Sequence, residues 1–293
     1  MARFSLLLLT LVAAHAASLS DKISEAISGF PGTVSIFAKN LDTGATFGLR
    51  PDERVRTAST IKLPILCATF KAVQEGRLKW TDLTTLKDAD KVSGSGILGE
   101  FSEGVQIPLA DLTHLMIVVS DNTATNLVID HVTADYVNDY MDKLGLKGTR
   151  SMRKVLGDGN NLKPPSGYSK AGLDPENKKY GLGSSTPREM VTLLEMLESG
   201  KVVSPEASAE IIKVLKRQRD NNGIARRMGE TVVANKAGAL DHLRSDVGIV
   251  YQKGNRIAMA ITCEDVPKID WTSDNEGLLR IAKIAEILAA ELR

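Results

Sequence analysis

Ser59 and Lys62 stand three residues apart in Ser59-Thr60-Ile61-Lys62; the triplets Ser120-Asp121-Asn122 and Lys236-Ala237-Gly238 follow in that order. Each motif is weak alone. In this order, and in apolar contexts, they describe a serine acyl-transfer site. A serine hydroxyl is a poor nucleophile at neutral pH and needs a base within hydrogen-bond reach. Residues three apart on a helix share a face, about 5–6 Å between Cβ atoms, so Lys62 reaches Ser59 if that turn is helical. A lysine serves as base only when its pKa is lowered, by burial or by a second cation. Lys236 is a candidate for that cation, or for the group that orients the Ser120 hydroxyl. Ser59 is expected at a helix start, where free N–H groups and the helix dipole favour developing negative charge. No metal or cofactor is needed for this chemistry. His15, His114, His131 and His242 have no metal-ligand spacing.

Two of the motifs recur, and context separates the copies. Ser151 to Lys154 repeats the first spacing, among basic and Gly-rich residues with no apolar helix behind it. Ser273-Asp274-Asn275 repeats the second, just before a terminal helix, where Ser273 reads as the N-cap with Glu276 completing a capping box. Ser59 instead opens the apolar run Ile61 to Leu66, and Ser120 lies between Leu115–Val119 and the helix-like Ala124–Ile129.

With these residues in place, the chain resembles the class A β-lactamase family and its relatives among penicillin-binding proteins. Ile117 to Leu127 resembles the helix–loop–helix that carries the second motif, and Thr186-Pro187-Arg188-Glu189-Met190 the helix start after the omega loop. The resemblance covers nearly the whole chain after its leader. It implies Ser59 as nucleophile, Lys62 as proton acceptor and Ser120 as proton shuttle to the leaving nitrogen. It implies that Asn122 holds the substrate amide and Lys62. Lys236 and Arg244 would draw the substrate carboxylate, a bidentate task suited to guanidinium. Gly238 belongs to the third motif, and the N–H groups of Ser59 and Ala239 would form the oxyanion hole.

Two departures from that pattern matter. Ala237 stands where a hydroxyl residue is expected, so one hydrogen bond to a carboxylate is missing. No glutamate stands in the segment after Arg150, where the deacylating base is expected; Val155 falls near that point. Asp158, Asp174 and Glu176 are the candidate substitutes. Without one, deacylation is slow, and the chain is a D-Ala-D-Ala peptidase, a penicillin-binding protein or a slow-turnover sensor rather than a β-lactam hydrolase.

Met1-Ala2-Arg3, the apolar Phe4–Ala14 and Ala14-His15-Ala16 read as a signal peptide over residues 1–16, which implies a secreted or periplasmic protein with no stable membrane span. A formal net charge of +1 gives no case for nucleic acid. The substrate expected is a β-lactam or a peptidoglycan-like amide, and the protein is expected to be a monomer. Cys67 and Cys263 lie in separate apolar segments and read as two buried thiols.

The elements that must position the motifs follow from periodicity. Gly32–Leu41 and Thr46–Arg50 read as a hairpin. Helices are expected at Ser59–Glu75, Leu109–Val119, Thr123–Val132, Ala134–Leu144, Pro187–Glu198 and Ser204–Arg217. Strands are expected at Thr231–Asn235, Asp246–Gln252 and Arg256–Thr262, before a terminal helix Asn275–Leu292. This predicts an α/β (α+β) fold in which both chain ends build one antiparallel sheet (residues 17–52 and 203–293). An all-helical part (53–202) is inserted between them, with a long omega-like loop at 150–185. The site is expected between the two parts.

Overall fold

Apolar runs from both ends of the chain pair into one sheet because each buries at least one face. The structure, a computed structural model, describes residues 18–157 and 166–293. The expected signal peptide and Asp158 lie outside the described residues. The first half of the chain contains α1 (Leu19–Ile27), β1 (Thr33–Asn40), β2 (Thr46–Leu49), β3 (Val55–Arg56), α2 (Lys62–Gln74), β4 (Leu83–Thr85), β5 (Gln106–Pro108), α3 (Leu109–Val118), α4 (Asn122–Val132) and α5 (Ala134–Lys143). The second contains β6 (Arg150–Ser151), α6 (Lys170–Leu173), β7 (Gly183–Ser185), α7 (Pro187–Glu198), α8 (Pro205–Leu215), β8 (Val232–Leu240), β9 (Leu243–Gln252), β10 (Asn255–Glu264) and α9 (Glu276–Glu291).

The main sheet has the order β2-β1-β10-β9-β8 and all its pairings are antiparallel. The central strand β10 is buried on both faces, which is why Ile257 to Cys263 is apolar almost without alternation. One face packs on α1 and α9, through Ile23, Ile281, Ile284 and Leu288 against Val34, Ile36, Ile257 and Ile261. The other face packs on the helical part, where Val247, Ile249, Ala258 and Ala260 join Leu63, Leu66, Leu194 and Ile211 in one core.

Helix α2 runs through the middle of that second core. Nine of its residues are buried, so it has no strong polar face. Burial of Leu63, Ile65 and Leu66 stabilises by about 1.5–3 kcal/mol each. This fixes the helix rigidly and, with it, the turn that precedes it. Cys67 belongs to the helical core and Cys263 to the opposite one; both are free and buried.

Three expectations need correction. Strand β8 does not stop at Asn235 but runs to Leu240, and β9 begins at Leu243 rather than Asp246. The third motif therefore lies within a strand. The final helix is capped by Asn275, whose side chain accepts from Gly277 N and Leu278 N; Ser273 is not the cap. Helix α1, which periodicity did not reveal, is started by a capping box between Ser18 and Asp21.

Candidate active site

The site forms where β8, the edge strand of the sheet, runs past the N-terminus of α2. Ser59 sits in a 3₁₀ turn, Ala58–Ile61, that leads directly into α2 at Lys62. Ala58 adopts φ +46° just before the nucleophile candidate, and Ser120 itself adopts φ +54°. Non-glycine residues in this region cost about 1–3 kcal/mol each and persist where the surroundings over-determine them. Here a buried helix, a packed strand and the α3–α4 turn supply that constraint. Gly238 permits the approach of β8: a Cβ on it would lie 2.8 Å from Thr57 O and 3.0 Å from Ser59 N and Thr60 N.

Ser120 Oγ lies between two lysines. Lys62 Nζ is 3.2 Å away and Lys236 Nζ 3.0 Å away. Lys62 Nζ also donates to Ser120 O at 2.7 Å and to Asn122 Oδ1 at 3.0 Å. Lys236 Nζ also donates to Ala237 O at 2.6 Å. Both side chains are fully buried. Burial pushes the Lys62 pKa well below its ordinary value, and the charge of Lys236 pushes it further down. Burial lowers Lys236 to about 8, against the opposing pull of Asp220 and Asp246.

The turn between α3 and α4 is tied to the Ser93–Gly96 loop. Asp121 accepts from Ile97 N at 2.7 Å, Leu98 N at 2.8 Å and Ala124 N at 2.8 Å. Asn122 donates from its backbone to Ser95 O at 2.9 Å and from Nδ2 to Ser93 O at 3.0 Å. Ser93, Gly94 and Ser95 thus form one wall of a cleft of about 390 Å³ that is also lined by Ser59, Ser120 and Asn122 and, from β8, by Gly238 and Ala239.

The structure brings together Ser59, Lys62, Ser120, Asn122, Lys236, Gly238 and Ala239. Arg244 lies elsewhere. It is paired across from Ala239 on β9, but its guanidinium turns towards the segment before α9. Its Nη1 donates to Leu240 O and to Leu243 O at 2.6 Å, and its Nη2 donates to Asp270 O. The guanidinium lies 4.9 Å from the ring centroid of Trp271. Arg244 does not line the cleft, whereas Trp271 does. The physical reason is that three backbone carbonyls and an aromatic face already engage the side chain.

Val155 lines the cleft, and Asn126 clamps it there by accepting from Val155 N at 2.7 Å and donating to Val155 O at 2.9 Å. Asp174 and Glu176 are exposed on a short 3₁₀ turn and do not line the cleft. The second S-x-x-K copy is not on a helix: Ser151 is buried in β6, and Lys154 pairs with Asp130. Among the described residues, the carboxylate in the cleft wall belongs to Asp220, which sequence reasoning missed. It follows the basic stretch Lys213–Arg219 and carries no motif; only the turn after α8 puts it there. Trp271 was missed for the same reason.

The model of the "Beta-lactamase enzyme family" matches residues 18–292. The chain belongs to that family. A β-lactamase of Rhodobacter capsulatus is 23% identical over 94% of this β-lactamase-family chain and 89% of its own length. Among solved structures, the β-lactamase of Sphaerobacter thermophilus superposes with a TM-score of 0.79 at 29% identity, covering 93% and 96% of the two chains. A variant of PBP-A, solved as an acyl-enzyme complex with penicillin G, superposes with a TM-score of 0.77 at 27% identity, covering 93% and 95%. The family member described here is accordingly a serine β-lactamase-type hydrolase with the class A fold. None of its described helices is long and apolar enough to cross a membrane.

Proposed function

We propose that this protein is an exported serine hydrolase that opens β-lactam rings through an acyl-enzyme on Ser59 and releases the product slowly. The observation that carries this reading is the Lys236–Ser120–Lys62 chain beside Ser59. With Lys236 charged and Lys62 neutral, Lys236 donates to Ser120 Oγ and leaves the Ser120 hydroxyl hydrogen to face the cleft, while Lys62 keeps its two hydrogens for Ser120 O and Asn122 Oδ1 and its lone pair for the Ser59 proton. Ser59 Oγ attacks the lactam carbonyl carbon and gives its proton to Lys62. The N-terminus of α2 and the open backbone edge of β8 supply N–H groups for the oxyanion. As the C–N bond breaks, the proton passes from Lys62 through Ser120 to the departing nitrogen.

Release needs a water and a base within reach of the acyl carbonyl. Val155 stands in the cleft wall near the point where the family pattern has a glutamate, and Asp174 and Glu176 are exposed and do not line the cleft. This favours a long-lived acyl-enzyme, and with it a second reading as a D-Ala-D-Ala peptidase or acylated sensor. Intact-protein mass spectrometry and stopped-flow nitrocefin hydrolysis test both steps. Wild type should give a penicillin adduct and a burst about equal to the enzyme concentration, then turnover well below the usual enzyme median of about 10 s⁻¹. Ser59→Ala should give neither adduct nor burst. An adduct on Ser59→Ala at the wild-type rate would reject the nucleophile; fast linear turnover without a burst would reject slow release.

A further inference from the structure

Three cations stand in or just after β6, and two of them are paired. Arg150 pairs with Asp142 at 2.7 Å, and Lys154 pairs with Asp130. Arg153 has no carboxylate partner among the described residues; its Nη1 donates to Lys154 O at 2.9 Å. A guanidinium carries five N–H donors in a planar fork that fits a carboxylate. Arg153 is half-buried and lines the cleft. Asp220, the carboxylate of the same cleft, accepts from Asn222 instead, at 3.1 Å from its N and 3.0 Å from its Nδ2. The backbone on either side of Arg153 is fixed. Met152 N donates to Leu182 O at 2.9 Å, Arg153 bridges to Tyr168, and Asn126 clamps Val155 two residues further on. Gly181 lies beside the fork, its Cβ position 3.7 Å from Nη2. This wall meets the nucleophile turn through Gly183 O, which accepts from Thr57 N at 3.0 Å. In the proposed reaction the nitrogen leaves towards Ser120. The acyl half stays on Ser59 and lies against the wall that holds Arg153, Val155 and Leu182.

We propose that Arg153 determines specificity by taking a carboxylate on the acyl half of the substrate, so that the protein favours amides whose acyl group is anionic. A fork with most of its donors unspent can meet such a carboxylate with two parallel N–H···O bonds. A neutral acyl group leaves those donors to water, and a cationic one meets a like charge. Leu156 and Leu182 line the cleft from the same two segments, and apolar surface beside a charge-assisted bond strengthens it. This deepens the proposed acyl-transfer reading and rests on it for the orientation of the substrate.

Penicillin G, carbenicillin and ampicillin are the probes. They share one ring system and one ring carboxylate, and differ only in a hydrogen, a carboxylate or an amine on the acyl side chain. Binding is measured by calorimetry on Ser59→Ala, where no acyl bond forms, at about pH 6, where the carboxylate is ionised and the amine protonated. Carbenicillin should bind about tenfold tighter than penicillin G, and ampicillin more weakly than either. This order is read on the parent and does not depend on whether a further variant folds. Arg153→Gln in the same background should shrink the carbenicillin-to-penicillin G ratio by about tenfold, whereas Arg153→Lys, which keeps the charge, should leave carbenicillin ahead. Carbenicillin that binds no tighter than penicillin G, an unchanged ratio in Arg153→Gln, equal weakening of both probes, or binding of neither would overturn the proposal. Acylation of the unmodified protein by the same probes is followed in parallel by mass. Carbenicillin that binds as expected but never acylates would reject the acyl-transfer reading and leave the selectivity of Arg153 standing.

Discussion

Ser120 Oγ lies within 3.2 Å of one buried lysine nitrogen and 3.0 Å of another, so the two ammonium groups cannot both be charged at low cost. Lys62 is the one that gives way, because burial and Lys236 both act on it. Acylation should rise with pH as Lys62 loses its proton. It should fall above about pH 8, where Lys236 becomes neutral and its charge-assisted bond to Ser120 is lost. Lys236→Met removes the like charge that depresses Lys62, so its acidic limb should move to higher pH. Stopped-flow acylation across pH 5–10 measures both limbs; an acidic limb that stays in place would dismiss the coupling. At the same scale, Arg244 is a buttress. Arg244→Ala leaves the carbonyls of Leu240, Leu243 and Asp270 without their donor and should cost about 2–3 kcal/mol in urea unfolding. The KM for penicillin G should not change. A raised KM at unchanged stability would put the side chain in the substrate's path.

At the scale of elements, β8 and α2 are held in register by a residue with no side chain. Gly238→Ala would place a methyl group 2.8 Å from Thr57 O and 3.0 Å from Ser59 N. The strand must then move away from the nucleophile turn, and acylation should fall by about 10²-fold, the loss expected from one displaced oxyanion donor. The far-ultraviolet circular dichroism should be unchanged; a variant that acylates normally would show that β8 has slack at this point. This contact also explains why sequence placed the third motif poorly. Lys236, Arg244 and Asp246 interrupt the apolar pattern of two strands that are nonetheless buried, so periodicity ended one strand at Asn235 and began the next at Asp246. The motif Lys236-Ala237-Gly238 was legible because its chemistry is in the residue types. The strand that carries it was hidden by the same charges.

At the scale of the whole molecule, the sheet built from both chain ends and the buried helix α2 were legible because buried elements write long apolar runs, and α5 was legible because its buried Val137, Tyr140 and Met141 recur at helical spacing. The four motif side chains Ser59, Lys62, Ser120 and Lys236 were legible through spacing and order. Asp220 and Trp271 were not, since each reaches the cleft from a turn whose path depends on the packing of α8 and α9 rather than on local sequence. The direction of Arg244 was hidden for a related reason: the carbonyl of Asp270 that draws it away lies 26 residues further along the chain.

The bonds that converge on Ser120 Oγ span 58 residues to Lys62 and 116 residues to Lys236. Under the proposed function, reactivity towards penicillin would therefore report on the assembled tertiary structure, not on any one segment. A fluorescent penicillin should label only molecules in which the sheet edge and the buried helix are docked. In a urea titration, pulse labelling should be lost at or before the midpoint seen by circular dichroism, and never after it. The proposed adduct on Ser59, once formed, would mark how much of a sample was native at the moment of the pulse, so that serine would double as a clock-stopped measure of folding yield.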